Sequence, residues 1–126
     1  MYGKINKRRL GSDKERLAAD YLVSLGYDIL ETNFRTRYEE IDIIARDGNT
    51  MVFVEVKYRN SQSFGSPLEA VNYNKQRRIS MGAVSYLYMN KMSVDDISIR
   101  FDAIGICRDE ITHIKNAFSY TGIGYM

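Results

Sequence analysis

The stretch Thr50–Arg59, TMVFVEVKYR, carries the clearest fold signal in the chain. Side chains alternate across a strand, so the three valines share one face. The other face carries Met51, Phe53, Glu55 and Lys57. Both faces are mainly apolar, which is typical of an interior strand covered on each side. A buried strand does not need charged side chains for folding, so Glu55 and Lys57 near its end indicate a chemical role.

A hairpin is predicted directly upstream of this strand. Two apolar runs, 39–46 and 50–58, flank Asp47-Gly48. Asp-Gly between such runs is the strongest short-range signal for a β-hairpin. We therefore predict an antiparallel pair made of strand two and strand three.

The register of that hairpin decides which side chains meet. With a turn of two or four residues, Asp42 lies opposite Phe53 and Glu40 lies opposite Glu55. Opposed residues share a face, so Asp42, Glu55 and Lys57 would converge on one side of the sheet. A turn of three residues would reverse this parity.

The rest of the chain alternates between helical and extended patterns. Helix one is predicted over 13–25, with a Ser12/Glu15 capping box and Gly26 as its C-terminal cap. Further elements are a strand over 27–34, a helix from Pro67 to Met89 interrupted near Asn72 and Asn74, and strands over 98–107 and 110–118 paired across Arg108-Asp109. The order α-β-β-β-α-β-β predicts an α/β domain, with a mixed sheet of about five strands flanked by helices.

The length of 126 residues fits one domain. We predict a basic flexible arm over 1–10, a single domain over 11–118 and a C-terminal tail over 119–126. No apolar run is long enough for a membrane span, and no secretory signal is present in the sequence. The single Cys107 favours a cytoplasmic location. The chain has one cysteine and one histidine, His113, which makes Cys-His or Ser-His-Asp catalysis an unfavoured interpretation.

Neighbouring carboxylates repel each other, which raises their pKa values and favours a hard divalent cation. Asp42 and Glu55 are therefore candidate ligands for Mg²⁺ or Mn²⁺. Lys57 could either orient a metal-bound water as the nucleophile or stabilise charge on a phosphoryl transition state. Glu15 continues the helical stripe that faces the sheet and could complete the set. A capping role for Glu15, and a simple salt bridge for Glu55 and Lys57, are the structural alternatives.

Basic residues form clusters in a chain whose formal net charge is only +2. Any one cluster could be solvated charge or could contact phosphates. The candidates for nucleic-acid binding are Arg59, ranked first for its place on the face of Lys57, and Arg35, Arg37, Lys75, Arg77 and Arg78. Tyr58 and Phe64 could stack on exposed bases. No helix-turn-helix or zinc finger is visible, so DNA shape is a more plausible target than base sequence.

Asp42 followed by Glu55-Val56-Lys57 resembles the bipartite PD-(D/E)xK motif of restriction-endonuclease-like nucleases. The whole chain resembles the bacterial UPF0102 (YraN-like) family of predicted nucleases, which is distantly similar to archaeal Holliday junction resolvases. The matching stretches cover nearly the entire chain: Gly11 to Glu15, Asn33-Phe34-Arg35, Glu40 to Ala45, Val52 to Lys57, Phe64 to Pro67, Glu69-Ala70-Val71, Lys75 and Asn116-Ala117-Phe118.

The resemblance implies a metal site at Asp42 and Glu55, Lys57 as the catalytic lysine and Glu15 as an acidic partner borne on a helix. It also implies a homodimer, since symmetric cutting of a junction requires two active sites. This chain departs from the family pattern at three places. Glu39 and Lys14 stand where glycine is usual, and Ile41 precedes Asp42 where the larger motif has proline.

Three functions are compatible with these residues. The leading hypothesis is a metal-dependent endonuclease that hydrolyses DNA phosphodiester bonds, with branched or single-stranded DNA of repair or recombination as its substrate. The second is a nucleic-acid-binding accessory module that keeps the nuclease fold without cleaving. The third is a protein-interaction adaptor whose basic arm binds an acidic partner.

Overall fold

A computed structural model describes residues 13–59, 72–93 and 95–120, except the side chain of Arg59. The elements run in the order α1 (Asp13–Ser24), β1 (Asp28–Arg35), β2 (Glu40–Asp47), β3 (Thr50–Arg59), α2 (Tyr73–Met89), β4 (Ser98–Cys107) and β5 (Glu110–Phe118). Among these residues, neither helix is long and apolar enough to cross a membrane. The predicted basic arm, the Ser12 cap, Phe64 and the helix start at Pro67 lie outside the described residues.

The five strands form one mixed sheet in the order β1-β2-β3-β4-β5. β3 pairs with β4 in parallel, and the other neighbours are antiparallel. Met51 and Phe53 pack in one core cluster with α2, whereas Val52 and Val54 pack in a second cluster with α1. The helices thus cover opposite faces of the sheet. The α/β fold with a central mixed sheet is confirmed, and β3 is its buried middle strand.

Both helices begin or end where local chemistry requires it. The N–H of Gly26 donates to Val23 O and that of Tyr27 donates to Leu22 O, at 2.9 and 3.1 Å. This is the Schellman pattern, and Gly26 adopts the positive φ of 94° that the pattern requires. The side chain of Asn72 accepts a hydrogen bond from the N–H of Lys75 and caps α2. The interruption predicted near Asn72 is therefore the N-terminus of α2, although Asn74 lies inside the helix.

The turn between β2 and β3 corrects the predicted register. Asp47 pairs with Thr50, so the turn residues are Gly48 and Asn49 instead of Asp47 and Gly48. The ladder runs from Asp47↔Thr50 to Ile43↔Val54, and Phe53 faces Ile44. The predicted pairings of Asp42 with Phe53 and of Glu40 with Glu55 are wrong by two residues. A shift of two residues preserves which side chains share a face within the ladder.

A buried polar network ties α1 to β4 and β5. Asp102 is fully buried and accepts hydrogen bonds from Arg100, His113 and the N–H of Asn116. His113 Nε2 lies 2.8 Å from the Asp102 carboxylate, and the hydroxyl of Tyr21 lies 3.1 Å from His113 Nδ1. An ionised carboxylate can only accept, so Nε2 of His113 donates to Asp102. The histidine that stands alone in the sequence thus has two partners.

Arg100 completes this network by donating to three groups. They are Asp102, Asp47 at 3.1 Å and the hydroxyl of Tyr27 at 2.6 Å. Burial alone would raise the pKa of Asp102, but the hydrogen bonds from His113 and Arg100 and the N–H of Asn116 lower it below its ordinary value. The charge of Asp102 is thus satisfied from within the protein, which marks the network as a structural element.

We expect Asp102→Asn to lower the free energy of unfolding by about 3 kcal/mol, because it removes the fully buried charge that Arg100 and His113 share as a partner. Urea unfolding at neutral pH measures this loss. Asp109→Asn, in the exposed β4–β5 turn, is the matched control and should change stability by less than about 0.5 kcal/mol. Equal effects of the two substitutions would contradict the structural role of Asp102.

Candidate active site

A polar cleft of about 510 Å³ opens where β2 separates from β3, beside the first turns of α2. Its walls hold five basic and four acidic side chains together with two apolar ones, one threonine and one tyrosine. The lining residues are Arg35, Thr36, Arg37, Tyr38, Glu39, Glu40, Asp42, Glu55, Val56, Lys57, Lys75, Arg78 and Ile79. The predicted pair Asp42 and Glu55 and the predicted Lys57 are therefore brought together in one concave site.

Asp42 lies where the regular alternation of β2 breaks. Ile41 packs on the α2 side of the sheet, whereas Ile43, two residues later, packs on the α1 side. The described β2–β3 ladder ends at Ile43. Beyond it, the N–H of Val56 donates to Asp42 Oδ2 at 2.8 Å. A side-chain hydrogen bond thus links the two strands after their backbone pairing ends, and it fixes the Asp42 carboxylate at the cleft.

Glu55 is held between two lysines. Its side chain is only 4% exposed, and Oε2 lies 2.9 Å from Lys75 Nζ and 3.8 Å from Lys57 Nζ. Lys75 was predicted to contact nucleic acid, but here it is an ion-pair partner of the acidic site. Lys57 is one-third exposed and reaches the cleft from the neighbouring position on the same strand face.

The Asp42 carboxylate is difficult to ionise in this setting. Burial raises its pKa from 3.8 to about 7, with a further contribution from the negative charge of Glu55. The hydrogen bond from Val56 opposes this shift, whereas Glu15 and Glu40 add to it. A cation bound beside Asp42 would therefore favour its ionised form.

Glu15 influences the site from α1. Its carboxylate accepts a hydrogen bond from Asn33 Nδ2 at 3.1 Å. Asn33 has a φ of 52°, a left-handed conformation that asparagine tolerates better than most residues. Burial raises the pKa of Glu15. Within the described residues, no three His, Cys, Asp or Glu side chains group closely enough to hold an ion. Glu15 as a third ligand stays a prediction.

Four of the six predicted phosphate contacts line the cleft, namely Arg35, Arg37, Lys75 and Arg78. Arg77 is exposed and does not line it. The side chain of Arg59 lies outside what the structure describes. Tyr58, predicted to stack on bases, is 38% exposed and carries the Lys14 ammonium 4.1 Å from its ring centroid.

The β1–β2 loop forms one wall of the cleft, which the sequence analysis did not anticipate. Thr36 Oγ1 accepts hydrogen bonds from the N–H groups of Tyr38 and Glu39, and its hydroxyl contacts the Glu39 carboxylate. Glu39 is thereby held in a buried position. Gly82 of α2 lies against this loop, since a Cβ there would be 3.3 Å from Glu39 Cβ. A threonine three residues before a glutamate was the available sequence signal.

These features define an α/β protein with a central mixed sheet, whose middle strand ends in a carboxylate–lysine pair within a cleft of mixed charge. Residues 14–106 match the Uncharacterised protein family UPF0102, and the chain belongs to that family. The predicted family membership is therefore confirmed.

Related bacterial proteins match over most of their length. A UPF0102 protein of Thermodesulfovibrio yellowstonii is 50% identical over 109 residues, which cover 86% of this chain and 95% of the relative. One from Alkaliphilus oremlandii is 48% identical over 115 residues, covering 88% and 98% of the two chains. One from Lachnoclostridium phytofermentans is 46% identical over 118 residues, covering 94% and 99%.

The pKa of Asp42 predicts how pH affects stability. Because the pKa is raised in the folded state, the folded protein binds this proton more tightly than the unfolded chain. Its contribution is therefore greatest below about pH 4 and is lost as pH rises to about 7. Relative to the wild type, Asp42→Asn should be more stabilising at about pH 8 than at about pH 5. Urea unfolding in metal-free buffer measures both differences. If the difference in unfolding free energy between Asp42→Asn and the wild type is the same at both pH values, the raised pKa of Asp42 is contradicted.

Proposed function

We propose that this protein is a metal-dependent endonuclease that hydrolyses phosphodiester bonds in DNA. The observation that carries the proposal is the placement of Asp42, Glu55 and Lys57 together in a cleft whose walls also hold arginines. Carboxylates beside a lysine suit phosphoryl chemistry, and arginines suit the flanking phosphates.

Asp42 and Glu55 are the residues that would hold Mg²⁺ or Mn²⁺. Both offer hard oxygen donors, and Mg²⁺ is commonly bound by one or two protein carboxylates with waters and substrate phosphates as further ligands. The raised pKa of Asp42 supports this assignment, because a nearby cation would relieve the repulsion from Glu55. A divalent cation supplies Lewis acidity, which stabilises negative charge that develops on a reacting phosphate. Glu15 would support Asp42 from α1.

Lys57 is the proposed catalytic lysine. Its ammonium lies 3.8 Å from Glu55 Oε2, a loose contact that keeps it beside the carboxylates. The side chain remains partly accessible from the cleft. An ammonium in this position can donate hydrogen bonds to a non-bridging phosphate oxygen and stabilise charge that develops there.

The substrate is proposed to be branched or single-stranded DNA of repair or recombination. Arg35, Arg37 and Arg78 are placed on the cleft walls to neutralise phosphates on either side of the reacting one. Tyr38, on the same wall and 73% exposed, offers a ring to an unpaired base. Contacts of these kinds recognise backbone shape more than base sequence.

A non-cleaving nucleic-acid-binding module is the second candidate. The 2.9 Å ion pair between Lys75 and Glu55 favours it, because that pair already neutralises one of the proposed ligands from within the protein. Such a module would bind DNA through the same arginines without turnover. Cleavage assays separate the two functions.

Lys57→Ala should lower the rate of cleavage by at least about 100-fold, since it removes a group that stabilises the transition state. The assay uses labelled flap, junction and single-stranded DNA with Mn²⁺ or Mg²⁺. Lys115→Ala, an exposed lysine on β5, is the matched control and should cleave like the wild type. No cleavage by the wild type on any of these substrates would reject the nuclease proposal, and DNA affinity without cleavage would favour the accessory module.

Arg78 and Arg77 form a matched pair for testing the binding surface. Both are on α2 and carry the same charge, but only Arg78 lines the cleft. Arg78→Gln should weaken binding of uncut DNA and reduce the salt slope by about 1, whereas Arg77→Gln should have a smaller effect. Fluorescence anisotropy at several salt concentrations, in buffer without Mg²⁺ or Mn²⁺, measures both. Equal losses in the two variants would show that the cleft does not direct the phosphate contacts.

A further inference from the structure

Lys75 stands out among the cleft cations because of how tightly it is placed. Its backbone N–H donates to the Asn72 cap at 2.9 Å, which fixes the residue in the first turn of α2. Its ammonium lies 2.9 Å from Glu55 Oε2, and its side chain is 31% exposed. Lys57, on the same strand as Glu55, is almost 1 Å farther from that oxygen, at 3.8 Å.

We infer that Lys75 is the resident counterion of Glu55 and competes with a divalent cation for that carboxylate, so that it sets the concentration at which the site takes up metal. The inference rests on the proposed cation site at Asp42 and Glu55. It assigns Lys75 a regulatory and positioning role, in addition to the phosphate contact that its charge suggests.

The competition follows from charge and space. Glu55 is almost fully buried, and leaving its charge without a partner would be costly. The Lys75 ammonium provides that partner at hydrogen-bonding distance from Oε2. A metal ligand must also offer its oxygen lone pairs, at about 2.1 Å for Mg²⁺. The ion and Lys75 would therefore share one carboxylate and repel each other, so the ion must overcome the existing pair.

The consequence is a link between metal uptake and the charge of the cleft. When Glu55 has a metal as its counterion, Lys75 becomes a cleft-lining ammonium without its original partner. It then lies three residues before Arg78, on the same side of α2. Metal binding would thus add a positive charge for the substrate. By thermodynamic reciprocity, a bound polyanion would promote metal uptake.

The test compares Lys75→Gln with Arg77→Gln, which removes the same charge from α2 outside the cleft. Mn²⁺ binding to the full chain is measured by calorimetry without DNA. Lys75→Gln should bind Mn²⁺ about fivefold to tenfold more tightly than the wild type, and Arg77→Gln should differ by less than about twofold. Circular dichroism before and after each titration verifies that the variants are folded.

A second measurement uses only the wild type. Acetylation of lysines, quantified by mass spectrometry, should show Lys75 reacting slowly without metal and faster with Mn²⁺. Lys91, which is exposed beyond α2, serves as the internal reference and should not change. Unchanged Lys75 reactivity at saturating Mn²⁺ would overturn the inference, even if Lys75→Gln proved too unstable to titrate.

The outcomes distinguish this inference from the nuclease proposal. Tighter Mn²⁺ binding by Lys75→Gln with no cleavage by any variant supports the competition and rejects the nuclease function. Cleavage by the wild type, with Mn²⁺ affinity equal in Lys75→Gln and Arg77→Gln, supports the nuclease function and overturns the competition. Absence of Mn²⁺ binding in both the wild type and Lys75→Gln overturns the competition.

Discussion

The hydrogen bond from the Val56 N–H to the Asp42 carboxylate holds the candidate site in place. At 2.8 Å it joins β2 to β3 just past their last described backbone pair. The same bond keeps Asp42 beside Glu55, although the two carboxylates repel each other. The central strand can present this charged end only because both of its faces are buried elsewhere along its length. The cleft thus depends on a rigid sheet and on one side-chain bond at its edge.

Two largely buried aspartates on neighbouring parts of the sheet show why one is structural and the other is a candidate ligand. Asp102 is surrounded by donors, and the hydrogen bonds from His113 and Arg100 lower its pKa despite burial. Asp42 receives one backbone N–H and faces Glu55, so its pKa rises to about 7. The protein supplies charged partners for Asp102, whereas the hydrogen bond to Asp42 comes from a neutral backbone N–H. A perturbed carboxylate in a cleft is a common mark of a functional site.

Much of the fold could be predicted from local sequence patterns. β4 and β5 have the predicted limits because Arg108-Asp109 marks their turn and both strands have strong extended patterns. The register of the β2–β3 hairpin could not be fixed, because Gly48 suits either central position of a two-residue turn, and in the structure it takes the first. The error of two residues leaves the parity of the ladder unchanged, and Asp42 and Glu55 line the same cleft.

Side-chain contacts between residues far apart in the chain could not be predicted from the sequence. The local sequence around Lys75 does not indicate that its side chain contacts Glu55 on β3. Lys75 was therefore predicted only as a phosphate contact. The network of Asp102, His113 and Tyr21 joins residues up to 92 positions apart. Such contacts form because the helices pack on both faces of the sheet, and helix packing is set by shape complementarity across the core.

The central claim is that the Asp42–Glu55 pair takes up a divalent cation. Calorimetric titration with Mn²⁺ at about pH 6.5, in two buffers of different ionisation enthalpy, tests it most directly, because binding should expel the proton that the raised pKa of Asp42 retains. We predict Mn²⁺ binding with proton release, and loss of both in Asp42→Asn. Absence of binding in the wild type, or equal binding and proton release in Asp42→Asn, would contradict the account.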